Sequence, residues 1–211
     1  MTAITIMIFF WAAVSSANAQ GMLPAASTTT VRADTGPLLI GQTVPENLVV
    51  LESSTGTPRA LLSYKAAIEV LVVQFLSPNC KDNQDQWTDL KRFYEDYKGW
   101  HVAFVAVDPV PTESPETLKQ AMQKAGVPYP VVMDPSRTAN ASLNINAVPE
   151  LVIIDESGVL RYRGPLQGFK QTPTGIKRGA PFARKAMDAI IGHTEAVPNP
   201  EPGDLGGCPI Q

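Results

Sequence analysis

Cysteine and histidine are scarce in this chain, two of each among 211 residues, and positive charge is not in excess. Two cysteines cannot build a disulfide-dense scaffold. A cysteine-based zinc site needs more soft ligands than Cys80, Cys208, His101 and His193 readily supply, so neither a metal nor a cofactor is expected. The 17 Lys+Arg against 20 Asp+Glu leave a net charge of −3, with no basic footprint for nucleic acid. The apolar run at the front, residues 4–14 (ITIMIFFWAAV), is too short for a membrane-spanning helix of roughly 20 residues. Proline is the opposite case: the chain has 19, clustered at the ends and in connections, so part of it is not core.

The front run is followed by SSANA and Gln20, which reads as a secretory signal peptide cut after Ala19. Ala17 and Ala19 are small enough for a cleavage pocket, although no Lys or Arg precedes Arg32. An uncleaved amphipathic tether or a buried N-terminal helix is the alternative. Export to the periplasm or the extracellular space, with no stable membrane insertion after cleavage, would let both cysteines oxidise. The expected organisation is a signal peptide (1–19), a flexible linker (20–37), one α/β domain (38–195) and a Pro/Gly-rich tail carrying Cys208 (196–211).

Within the domain, residues 68–76 (IEVLVVQFL) have the β-branched density of a strand buried on both faces. Residues 85–97 place Trp87, Leu90, Phe93 and Tyr94 on one helical face. A strand (101–108), a helix (115–126), a short strand (131–134) and another strand (150–155) follow. A turn at 156–158 leads into a hairpin partner (159–164), and a last helix runs over about 182–191. This order predicts a layered α/β domain with a mixed sheet.

Cys80 follows the buried strand and precedes the helix, in FLSPNCKDNQ. A thiol at a helix N-terminus faces unpaired N–H groups and the positive end of the dipole, which favour thiolate. The junction is expected to be exposed at the carboxyl edge of the sheet, where open α/β folds place ligands. The alternative is a buried, inert cysteine. Pro149 sits immediately before an apolar strand, where an ordinary proline would disturb the ladder.

With these two residues the chain resembles the thioredoxin superfamily over about residues 38–192. There the nucleophilic cysteine lies five residues after a strand phenylalanine, as Cys80 follows Phe75, and a cis-proline opens a later strand, as Pro149 follows Val148. The hairpin VIIDESGVLRYRG looks like the last two strands of that sheet. The resemblance implies a three-layer sandwich, a mixed central sheet flanked by helices. It also implies a site in which Pro78, Asn79, Val148 and Pro149 shape the substrate position around Cys80. The Val148 backbone would pair with an extended substrate while the thiolate attacks a sulfur.

The chain departs from the superfamily where a dithiol member has Cys-x-x-Cys: position 83 is Asn. Peroxiredoxins carry Thr or Ser three before the cysteine, as Ser77 is here, but Val73 stands where their motif has Pro. Gln84 stands where a copper-assembly member would carry a second cysteine. The GGCPI ending resembles secreted redoxin-domain proteins of the alkyl hydroperoxide reductase and thiol-specific antioxidant (AhpC/TSA) group. In those relatives a terminal Gly-Cys accompanies a cysteine that lacks a Cys-x-x-Cys partner. The roughly 16 residues after Gly192 reach about 50 Å, enough to bring Cys208 to Cys80.

Three outcomes stay open: a redox-cycling pair, a static bridge worth about 5 kcal/mol across about 128 residues, or two independent thiols. The expected function is thiol–disulfide exchange or peroxide reduction by Cys80, resolved by Cys208 or an external thiol reductant. The partner would be a thiol or disulfide protein or a peroxide. The competing class is a non-catalytic binding or accessory module. His101 and His193 are expected as surface or cap residues, Trp87 and Trp100 as packing, Glu150 as a sheet-edge carboxylate and Arg163 as solvated or locally paired.

Overall fold

A computed structural model of the chain describes residues 36–110, 113–194 and 207–210. The signal peptide, the linker and most of the tail expected from the sequence lie outside the described residues. The strands are β1 (Val49–Glu52), β2 (Pro58–Ala60), β3 (Val70–Phe75), β4 (Val102–Asp108), β5 (Val131–Met133), β6 (Ala147–Val148), β7 (Glu150–Ile154), β8 (Leu160–Gly164), β9 (Phe169–Thr172), β10 (Gly175–Arg178) and β11 (Cys208–Pro209). The helices are α1 (Lys81–Tyr97), α2 (Pro115–Ala125), α3 (Thr138–Ser142) and α4 (Phe182–Ile191), with a 3-10 turn at Leu61–Tyr64.

Seven strands form one mixed sheet in the order β2-β1-β5-β4-β3-β7-β8. β3 is central, parallel to β4 and antiparallel to β7, and every residue in it is buried. Because strand side chains alternate between faces, β3 splits its apolar residues between two layers. Val70 and Val72 pack with Phe104, Ile153 and Tyr162 under Leu90 and Phe93 of α1 and Ala186, Met187 and Ile190 of α4. Leu118 and Met122 of α2 cover Ala106 and Met133. Leu71, Val73 and Phe75 face the other way, against Leu61, Ala139, Leu143, Ile145 and Val148. This is the three-layer, mixed-sheet arrangement expected.

α1 begins at Lys81, four residues before the expected start. Asn83 and Gln86 are buried on the same face as Leu90, Phe93 and Tyr97, so the helical stripe continues through polar residues that an apolar pattern does not register. α2 matches its signals: the Ser114 side chain accepts from Thr117 N–H, Pro115 opens the helix, and Gly126 closes it at φ +65°. The strand expected from 101 starts at 102, because His101 has φ +54°. Trp100 is 62% exposed rather than packed. Among the described residues, no helix is long and apolar enough to cross a membrane.

Candidate functional site

The chain leaves β3 at Phe75, crosses Leu76–Asn79 and enters α1 with Cys80 as the N-cap, in extended backbone at φ −84° and ψ 119°. The Cys80 side chain makes no capping hydrogen bond; its sulfur is bonded to Cys208, with an S–S distance of 2.12 Å and a Cα–Cα distance of 5.8 Å, across 128 residues. Cys80 is only 2% exposed, which corrects the expectation of an open thiol at the sheet edge. In the bridged form the tail cysteine covers it. The helix-terminus argument for thiolate therefore belongs to the reduced form.

The tail also adds a strand. β11 pairs antiparallel with β6, placing Cys208 opposite Val148 and Pro209 opposite Ala147, and Ile210 N–H donates to the Asn146 carbonyl at 3.0 Å. The Val148–Pro149 bond is cis. Cys80 Sγ lies 3.3 Å from the Val148 carbonyl oxygen, so the disulfide and the pairing edge meet at one backbone group. The edge expected to face a substrate is occupied by the chain's own tail. Gly207 makes this approach possible: at φ +139°, a Cβ there would stand 2.7 Å from the Val148 oxygen and 3.1 Å from its carbonyl carbon. Cys208 and Ile210 pack, partly buried, against the core cluster that contains Cys80, Ile145 and Val148.

A polar network holds the Cys80 loop from behind. Asn83 is fully buried, and its Oδ1 accepts Ser77 N–H at 3.0 Å. The Ser77 hydroxyl donates to Glu113 and accepts Asn79 N–H at 3.2 Å. Asn79 Nδ2 donates to the same Glu113 oxygen at 3.1 Å, while Gln84 Nε2 donates to the Pro78 carbonyl at 3.0 Å. Pro78 is buried and Asn79 exposed, so only Asn79 of this expected pair presents a surface. Asp108, at the end of β4, is fully buried and accepts Val110 N–H at 2.9 Å. Burial pushes its carboxyl well above the usual carboxylate range; the Val110 N–H opposes the rise and the Glu113 carboxyl adds to it. Sequence reasoning missed Asp108, Glu113 and the role of Asn83. An acid closing the apolar run FVAVD was the available signal for Asp108.

Glu150 follows the cis-proline on β7, an interior strand, opposite Phe75, so it is not a sheet-edge carboxylate. Burial raises it to about 7, with the Arg163 charge opposing. Arg163 is half-buried and paired over long sequence separations rather than locally: its Nη1 donates to the carbonyls of Leu38 at 3.0 Å and Leu143 at 3.3 Å. His193, with φ +51°, is exposed beyond α4. Cys80, Asp82 and Cys208 bring potential metal-ligand atoms within 4.8 Å of one another, but the disulfide ties up both sulfurs, and the thiolate is the metal-binding form.

Comparison with known proteins places this geometry. No curated protein sequence matches the chain. Among solved structures, an uncharacterized conserved protein from Geobacillus kaustophilus is similar at 25% identity and a TM-score of 0.64, covering 76% of this chain and 85% of that one. A hypothetical protein from Sinorhizobium meliloti 1021 is similar at 22% identity and a TM-score of 0.66, over 83% of this chain and 95% of that one. A thiol-disulfide oxidoreductase from Bacteroides fragilis shares the fold at 17% identity and a TM-score of 0.50, over 59% of this chain and 90% of that one. The fold is thioredoxin-like, and the AhpC/TSA family model matches residues 40–163, which hold β1–β7, all but the last residue of β8, Cys80 and the cis-proline. The chain belongs to the AhpC/TSA family.

Proposed function

We propose that the protein is an exported thiol–disulfide oxidoreductase whose redox pair is Cys80 and Cys208. The observation that carries this reading is the bond itself: the helix-terminal cysteine, lacking a partner at Asn83, is joined to a tail cysteine seated against Val148. In the reduced form the Cys80 thiolate attacks a substrate disulfide; one sulfur joins Cys80 and the other leaves as a thiolate. Cys208 thiolate then attacks the Cys80 sulfur, releasing the substrate as a dithiol and forming the Cys80–Cys208 bond. An external thiol reductant restores both cysteines by two successive exchanges. Substrate disulfide is reduced by two electrons and the cysteine pair is oxidised by two.

Two features favour disulfide over peroxide as the oxidant. The Ser77 hydroxyl donates to Glu113 rather than toward the sulfur, and Val73 stands where peroxiredoxins carry Pro. Export belongs to the same proposal and rests on residues 1–19. A static bridge in an accessory module is the second reading, favoured by the burial of Cys80. Equilibration in glutathione buffers, read by thiol alkylation and mass spectrometry, separates the two. A redox pair exchanges with the buffer; a structural bridge, whose own reduction potential lies below about −300 mV, stays oxidised in it. Titration of the reduced protein with a thiol probe is expected to place the Cys80 pKa below the free-cysteine value of about 8.5.

A further inference from the structure

The tail strand shows what the site holds when it is filled. We infer that Gly207–Ile210 is an internal copy of the segment this site accepts: an extended peptide with glycine before its disulfide cysteine and a branched aliphatic residue two positions after it. This inference rests on the proposed redox function and names its substrate class.

Three contacts define the pattern. Antiparallel pairing of Cys208 with Val148 and the Ile210 N–H bond to Asn146 require an extended backbone. Before the cysteine, any side chain would begin 2.7 Å from the Val148 carbonyl oxygen, and the obstacle is backbone that cannot swing aside. After the cysteine the strand alternates: Pro209 is exposed, while Ile210 is partly buried against the core cluster of Ile145 and Val148. The site therefore selects at the residue before the cysteine and at the second residue after it, and tolerates variation between them. Tail and substrate use the same edge in turn: the Cys208 sulfur approaches Cys80 while the substrate sulfur is still bonded, and the tail strand takes the edge as the substrate leaves.

The test uses the reduced Cys208→Ser protein and short peptides activated as mixed disulfides with thionitrobenzoate. The Cys80 thiolate attacks the peptide sulfur, forms the Cys80–peptide disulfide and releases the coloured thionitrobenzoate anion, the better leaving group. Rates are compared for peptides containing Gly-Cys-Pro-Ile, Gly-Cys-Ala-Ile, Val-Cys-Pro-Ile and Gly-Cys-Pro-Asp, each divided by the rate with the small mixed disulfide of mercaptoethanol and thionitrobenzoate. Val before the cysteine, or Asp two after it, is expected to slow the reaction about tenfold or more. Ala in place of Pro should change it by less than about twofold. Equal rates for all four peptides overturn the inference and leave the redox function standing. Failure of even the small disulfide to react overturns both. Cys208→Ala serves as the second variant should Cys208→Ser not fold; it too leaves Cys80 as the only thiol that can release thionitrobenzoate.

Discussion

Asn83 stands where a local resolving thiol would sit in a dithiol thioredoxin, and its buried amide ties down the loop that carries Cys80. Asn83→Ala removes the acceptor of Ser77 N–H and leaves a buried donor unpaired, at a cost of about 1–3 kcal/mol. Urea unfolding of the oxidised protein should show that loss as a lower midpoint with an unchanged slope. Gly207 works at the same scale on the other side of the sulfur. Gly207→Val forces backbone movement at Val148 in the bridged form only, because the reduced tail is free to leave. The strain of about 1–3 kcal/mol should make the potential of the pair less negative by about 20–60 mV in glutathione equilibria. An unchanged potential would show that the tail approaches the edge by another path.

The elements legible in the sequence were those with enough length to carry a period. The buried run of β3 and the faces of α2 and α4 could be read within two residues of their ends, because burial repeats along them. Cys80 and Pro149 were legible by position, one before a helix and the other before a strand. β6 and β11 were not, since two residues each have no period, and a strand containing proline and preceded by glycine lacks every local signal. They exist only as a pair, held by the disulfide and the core beneath Ile210. Cys208→Ser should therefore dissolve both features of the pair together. Hydrogen exchange is expected to show the Ile210 amide, which donates to Asn146, protected in the oxidised wild type and unprotected in the variant. Loss of the bridge should lower stability by about 3–5 kcal/mol. Persistent protection in the variant would mean that the tail docks without its covalent tie.

Across the whole molecule the candidate site is assembled from stretches far apart in sequence: 77–83, 108–110 with Glu113, 146–150 and 207–210. The sheet brings the carboxyl ends of β3 and β4 beside the start of β7, and this gathers acids as well as the disulfide. Asp108 and Asp134 are fully buried and Glu150 partly so; burial raises all three above their ordinary values, against backbone N–H bonds at both aspartates and Arg163 at Glu150. The folded chain thus keeps protons on these groups at a pH where the unfolded chain has released them. Stability from this source is complete below the ordinary carboxylate range, about 4, and declines as the pH rises through the raised folded values, about 7 for Glu150. Thermal unfolding of the oxidised protein should accordingly show a midpoint that falls between pH 5 and pH 8. Glu150→Gln should flatten the fall up to neutrality. Asp108→Asn, which keeps an oxygen for the Val110 N–H, should raise the midpoint at pH 8 and change it little at pH 5. If the wild-type midpoint rises over this range and neither substitution alters its slope, these carboxyls are charged in the folded protein and the acid cluster behind the Cys80 loop is not a proton store.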